Sequence, residues 1–242
     1  DSPYKPMPHQ LRLEMLRGIN TDSFTPAKQL PLNLFQFVCG WSWDKLYRRD
    51  FVLQTGLLFQ ALPHTNDAYF VYLSLVKASV ATILPRVLVH HRMHNSSISH
   101  NTRKSTGSVI DALLAIHQEV MKTGNSELEK SFHHWAMNLS VWHVRQLYGD
   151  AAKALQQELS SRLEPVLHLL DYPRSYYPRK RDYLNYKEYV CSDPVIHRST
   201  FCTQRVSGKT YHLLGLPVWS YNSQAGITTY RLFGMPVRRK RL

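Results

Sequence analysis

WSWDKLYRRDFVLQTGLLFQALPHTNDAYFVYLSLVKASVATILPRVLVHHRMHNSSIS, residues 41–99, is the stretch on which the reading of this chain turns. It has three parts in order. An aromatic-basic element, Trp43-Asp44-Lys45-Leu46-Tyr47-Arg48-Arg49, comes first. A loop ending in Asn66-Asp67 then opens into an apolar run, Ala68 to Ala78, whose apolar residues fall on nearly every helical face, as in a helix buried against a sheet. An apolar segment from Val80 to Val89 follows and reads as an edge strand, with Pro85 inside it. It stops at His90-His91-Arg92-Met93-His94 and a Ser/Asn-rich loop. An acidic residue at the mouth of a helix, followed by a strand ending in His and Arg, is the arrangement of a functional site.

The order of these pieces also carries a resemblance. Trp43 to Phe51, Gly56-Leu57-Leu58-Phe59, Asn66-Asp67-Ala68-Tyr69-Phe70, and His91-Arg92 with Asn95-Ser96-Ser97-Ile98-Ser99 resemble, in sequence order, the second half of bacterial family 2 glycosyltransferases. The likeness covers roughly residues 30 to 145. It implies an α/β fold, the C-terminal, acceptor-side half of a GT-A-like domain, and transfer of a sugar from a nucleotide-sugar donor to a cell-surface glycan or lipid-linked acceptor. It also implies that Asp67 is the base that takes the acceptor hydroxyl proton, a role that inverting transfer requires of some group. The family motif usually reads Glu-Asp where this chain has Asn66-Asp67, which keeps the base and removes a neighbouring charge. On the same resemblance Trp43, Lys45, Asn66 and Arg92 contact substrate, and His91 completes the coordination of a divalent cation, Mg²⁺ or Mn²⁺, whose other ligands belong to an Asp-x-Asp motif.

Each of these residues also has a plainer reading. Asp67 is well placed to cap the helix after it, worth about 1 kcal/mol. Trp43 and Leu46 fit a strand whose apolar side is core, with Arg48 and Arg49 solvated. Aromatic faces beside cations equally suit a sugar platform with pyrophosphate contacts. Three His within five residues lack the spaced acidic ligands of a metal site, so His90 and His94 read as surface imidazoles.

At 242 residues the chain has room for one or two domains with a proper core. Its apolar runs are broken within about a dozen residues, short of the ~20 a membrane span needs. Cys39, Cys191 and Cys202 are widely spaced and form no C-x-x-C, which fits a reducing, cytoplasmic setting better than a disulfide framework. The net charge of +13 is uneven: from Tyr172 onward thirteen cations face three acids. That asymmetry calls for a polyanionic neighbour. The expectation is an anionic membrane surface on the cytoplasmic side, contacted peripherally, with nucleic acid not expected as a partner.

Three segments follow from the pattern: 1–105 as the acceptor-side half, 106–171 as helices, and 172–242 as a basic tail. Apolar positions recur at helical spacing through Val109, Leu113, Ile116 and Val120, then Phe132, Trp135, Leu139 and Trp142, then Leu155, Leu159, Leu163 and Leu167. Gly124 and Gly149 punctuate them, with Ser126 and Asp150 as candidate caps. The tail holds a repeat, Thr210-Tyr211-His212-Leu213-Leu214-Gly215-Leu216-Pro217-Val218 and Thr229-Tyr230-Arg231-Leu232-Phe233-Gly234-Met235-Pro236-Val237, offset by 19 residues. It reads as two short strands forming a β-hairpin-like accessory module. Neither a dinucleotide-binding β-α-β pattern nor an Asp-x-Asp occurs, and the chain begins Asp1-Ser2-Pro3. The resemblance therefore implies a transferase whose donor-binding half is missing from this sequence, as in an excised or truncated product. The alternative is a non-catalytic basic module that binds an anionic membrane surface or nucleic acid.

Overall fold

The computed structural model describes residues 12–84, 86, 88–90, 107–147 and 149–191, and the backbone of 202–205, 208–213, 216–224, 227–232 and 235–241. The chain divides into two compact units, Asp1–Cys191 and Ser192–Leu242.

The first unit is helical. A 3-10 turn at Leu13–Leu16 leads to α1 (Pro26–Gln29), a 3-10 turn at Pro31–Asn33, α2 (Arg49–Thr55), α3 (Ala68–Lys77), α4 (Ser108–Lys122), α5 (Ser126–Gln146), α6 (Asp150–Glu158), a π-helical stretch at Leu159–Leu163, α7 (Glu164–Leu167) and α8 (Lys180–Cys191). The helix ends follow local chemistry. Pro26 sits at the first position of α1, where its missing N–H costs nothing. Gly56 closes α2 with φ +62° and donates its N–H to the Val52 carbonyl. Asn125, one residue before the expected Ser126, caps α5 by accepting from the amides of Glu127 and Leu128. Asp150 is the first residue of α6 rather than its cap, which falls on Gly149 at φ +59°.

The expected α/β architecture of the first 105 residues is corrected by this structure. Among the described residues of the first unit there is no sheet; an isolated antiparallel bridge pairs Phe24 with Ala81. After the 3-10 turn at Pro31–Asn33 the chain runs through a turn and a bend that carry Leu34, Phe35 and Phe37 into the core. Phe35 stacks on Tyr72 of α3 at 5.1 Å and meets Phe132 of α5 edge-on at 5.4 Å. In the segment read as an edge strand at 80–89, Ala81 exchanges backbone hydrogen bonds with Phe24 and Ile83 donates its amide to the Thr21 carbonyl, but no ladder is built among the described residues. A strand without a neighbour leaves its amides and carbonyls unpaired, so alternation alone cannot make it a sheet. Leu84, Leu88 and Val89 are accordingly exposed.

The core joins the early segments to the later helices. Val71, Leu73, Ile110, Leu113, Ile116, Phe132 and Met137 are sealed from solvent. α8 closes the unit against α5: Tyr186 is fully buried and donates to Glu164 Oε2 at 2.9 Å. Its Asp182 takes hydrogen bonds from Asn138 and pairs with His134 at 3.0 Å. The spacing 155, 159, 163, 167 runs through α6, the π stretch and α7, and all four leucines are buried.

The second unit is an antiparallel meander of β1 (Cys202–Arg205), β2 (Gly208–Leu213), β3 (Leu216–Gln224), β4 (Ile227–Leu232) and β5 (Met235–Arg241), in sequence order across the sheet. This corrects the expectation of a single hairpin with one strand from each repeat copy. Each copy runs from one strand into the next, from β2 into β3 in the first and from β4 into β5 in the second.

Candidate functional site

The loop from Cys39 to Tyr47 is held by one side chain. Lys45 Nζ donates to the carbonyls of Cys39 (2.9 Å) and Trp41 (2.7 Å) and to Asp44 Oδ1 (2.6 Å). An ammonium has three protons, and all three are engaged here. Lys45 therefore shapes the loop, and a phosphate oxygen would have to displace one of these acceptors to reach it. The same loop stacks Trp41 on Trp43 with ring centres 4.7 Å apart, and Trp43 stays 40 % exposed. Leu46 beside it is 94 % exposed, so the reading of Trp43 and Leu46 as strand core does not hold. Gly40 sits at a close approach: a Cβ there would lie 3.1 Å from the Tyr72 ring, which would have to give by a few tenths of an ångström.

Asp67 is the residue before α3 and half-buried. Its side chain makes no capping hydrogen bond to that helix. Burial pushes its pKa up; its own amide, the Lys45 ammonium and the Ala68 amide pull it back, and Asp44 adds to the rise. The loop that presents it carries strain. Thr65 sits at φ +58°, a left-handed conformation that costs a β-branched residue about 1–2 kcal/mol. Thr65 accepts from the Ala68 amide (3.3 Å), and exposed Asn66 accepts from the Gln60 amide (3.1 Å) through its backbone carbonyl.

Tyr47 is the residue that sequence reading passed over. Its ring meets Phe70 edge-on at 4.9 Å, while Phe59 stacks on that Phe70 at 4.7 Å. Its hydroxyl is buried and has no hydrogen-bond partner. Burial, then the charges of Asp44 and Asp67, raise its pKa, which keeps it a neutral donor. Nothing in the order of residues distinguishes this tyrosine from its aromatic neighbours; the signal is the missing partner, visible only in three dimensions.

Trp43, Lys45, Asn66 and Asp67 thus lie along one 25-residue stretch, with Lys45 and Asp44 acting electrically on Asp67. His91 and Arg92 lie outside the described residues. Among the described residues no group of three His, Cys, Asp or Glu is arranged to hold a metal ion, and His91, the ligand the resemblance implies in this chain, is not one of them. No helix among them is long and apolar enough to cross a membrane. No known protein family, curated protein or solved structure matches the chain.

Proposed function

We propose that this chain carries the acceptor side of a glycosyl-transferring enzyme, with Asp67 as the general base and Trp43 as part of the sugar platform. The reading is supported above all by Asp67: a half-buried carboxyl, uncapped, pushed up in pKa by desolvation and presented by a strained loop. A base works best when its pKa approaches the working pH, and burial moves Asp67 that way. The donor is a nucleotide sugar and the acceptor a cell-surface glycan or lipid-linked sugar. A divalent cation belongs with the donor-binding portion.

Asp67→Asn, tested in a polypeptide that transfers sugar, should lower transfer about 100-fold with donor binding unchanged, because only proton removal is lost. Unfolding should not accompany the loss. Asp67 has a folded pKa above its unfolded value, so ionised Asp67 destabilises the fold above that window, and the amide is neutral or stabilising at pH 7. Normal transfer by the variant would remove Asp67 as the base.

The peripheral membrane contact has its own support in the first unit. Arg174, Arg179, Lys180, Arg181 and Lys187 are exposed, and Lys180, Leu184 and Lys187 share one face of α8. Each such cation gains about 1 kcal/mol near an anionic leaflet. Replacing Lys180, Arg181 and Lys187 by Ser should abolish co-sedimentation with anionic vesicles; unchanged sedimentation would end this part of the reading.

A further inference from the structure

α2 stands on an excursion of the chain. The backbone leaves the core at Tyr47 and returns at Phe59, and both rings rest on Phe70, with centres 4.9 Å and 4.7 Å from it. Between them no residue of α2 is buried. A helix of this length gains little from its own hydrogen bonds and depends on packing its apolar side chains. Val52 packs partly against the core, but Leu53 faces solvent. At the two ends, Leu46 beside Tyr47 is 94 % exposed and Leu58 beside Phe59 is 75 % exposed. The shared Phe70 ring brings these two leucines to one end of the excursion. Arg48 and Arg49 lie between Leu46 and Leu53, exposed, and make no ion pair among the described residues. Asp44 is engaged by Lys45, so two arginines against exposed Asp50 leave the surface positive.

Shape and charge select the occupant. A leucine that protrudes on nearly every side can be buried by a protein only in a cavity moulded to it, whereas hydrocarbon takes it in any orientation. Leucine and aromatic rings beside arginine make up a surface that lies in a membrane interface, apolar groups below the headgroups and guanidinium groups at the phosphates. We propose that the excursion 46–59 inserts Leu46, Leu53, Leu58 and Phe59 into an anionic lipid leaflet, with Arg48 and Arg49 on its phosphates. The proposal rests on the peripheral-membrane reading and adds an apolar anchor to the charge attraction of α8. Phe70 lies one helical turn beyond Asp67, so the anchor would hold the Asp67 loop at the leaflet, where a lipid-linked acceptor sits.

The test is co-sedimentation of the full chain with vesicles of equal parts phosphatidylglycerol and phosphatidylcholine, and with vesicles of phosphatidylcholine alone. Binding to the first, and much weaker binding to the second, is expected. Leu46→Ser and Leu58→Ser should each weaken binding about tenfold, the loss of one inserted leucine. Val166→Ser, the same kind of change at an exposed position of α7, should weaken it less than about twofold. Leu46→Trp should tighten binding, and it decides the matter if a serine variant unfolds early. Native binding by the leucine variants, with loss in the variant that replaces Lys180, Arg181 and Lys187, would uphold the α8 contact and overturn the insertion. Loss in the leucine variants, with native binding by the α8 variant, would uphold the insertion and end the α8 contact. Equal binding to the two kinds of vesicle, no binding to either, or a dimer in sedimentation velocity that Leu46→Ser dissolves would each overturn the proposal.

Discussion

The α4–α5 core and the 39–67 segment both surround polar groups with apolar side chains, but they satisfy them differently. In the core, buried Ser131 accepts from the Phe35 amide and donates to Gln36, Ser140 donates to the Ala136 carbonyl, and His134 and Asn138 converge on Asp182. In the 39–67 segment the Tyr47 hydroxyl and Gln60 Oε1 are buried with no partner, Asp67 is desolvated, and Trp43 and Leu46 face solvent. The first pattern is what stability selects, since each unpaired buried polar group costs about 1–3 kcal/mol. The second keeps such costs in place, as a binding surface does when its partners arrive with a ligand.

The largest effect should come from breaking the core. Phe132 is fully buried among Phe35, Trp135 and His117, and Phe132→Ala should cost about 3–5 kcal/mol in denaturant unfolding. A cost below about 1 kcal/mol would show that the early segments do not depend on α5.

Acid should expose the one flaw in that core. His133 on α5 is buried beside His117, Glu129, Tyr172 and Tyr176, and desolvation, then the neighbouring His117, lowers its pKa from 6.5 to about 4. At that pKa its 3.8 Å approach to Glu129 is not an ion pair at neutral pH, and its Nε2 has no partner. A folded pKa below the unfolded one means full stability above about 6.5, lost as pH falls toward 4, with roughly 3 kcal/mol at stake. His133→Phe should flatten stability over that window. An unchanged slope would place the acid sensitivity on another group, His143 first, whose pKa is also lowered to about 4.

The smallest effect sharpens the contrast most. Tyr47→Phe removes an unpaired hydroxyl and should leave stability unchanged or raise it by up to about 1 kcal/mol; Tyr186→Phe takes from Glu164 Oε2 its tyrosine donor, leaving the Leu170 amide on Oε1, and should lower it by about 1–2 kcal/mol. Equal losses in thermal unfolding would mean that Tyr47 is a core residue like Tyr186.

Helices were legible where spacing alone decides them: Ala68 to Lys77, and the runs through Val109 to Val120 and Phe132 to Trp142, stand in α3, α4 and α5. The apolar segment at 80–89 was not, because a strand is defined by a neighbour and the pattern of one segment carries no record of it. In the tail the repeat was visible but its structure was not, since a hairpin folded within nine residues and two strands of nine residues share the same alternation. At the site, Asp67 and the tryptophans could be picked out by residue type and order. The engagement of all three Lys45 protons and the orphaned Tyr47 hydroxyl follow from backbone positions that no spacing rule encodes.

The π stretch at Leu159–Leu163 bears on how this chain tolerates changes in length. Leucines exactly four apart overshoot an α-helical turn by about 40° at each step, so an unbroken α-helix from 155 to 167 would swing the last of them about 120° away from the first. The wider π turn takes up that surplus and keeps all four inward. Deleting one residue between Leu159 and Leu163 should therefore convert the stretch to plain α-helix with little loss of fold, whereas inserting one there, where the slack is already spent, should push Leu163 and Leu167 out of the core.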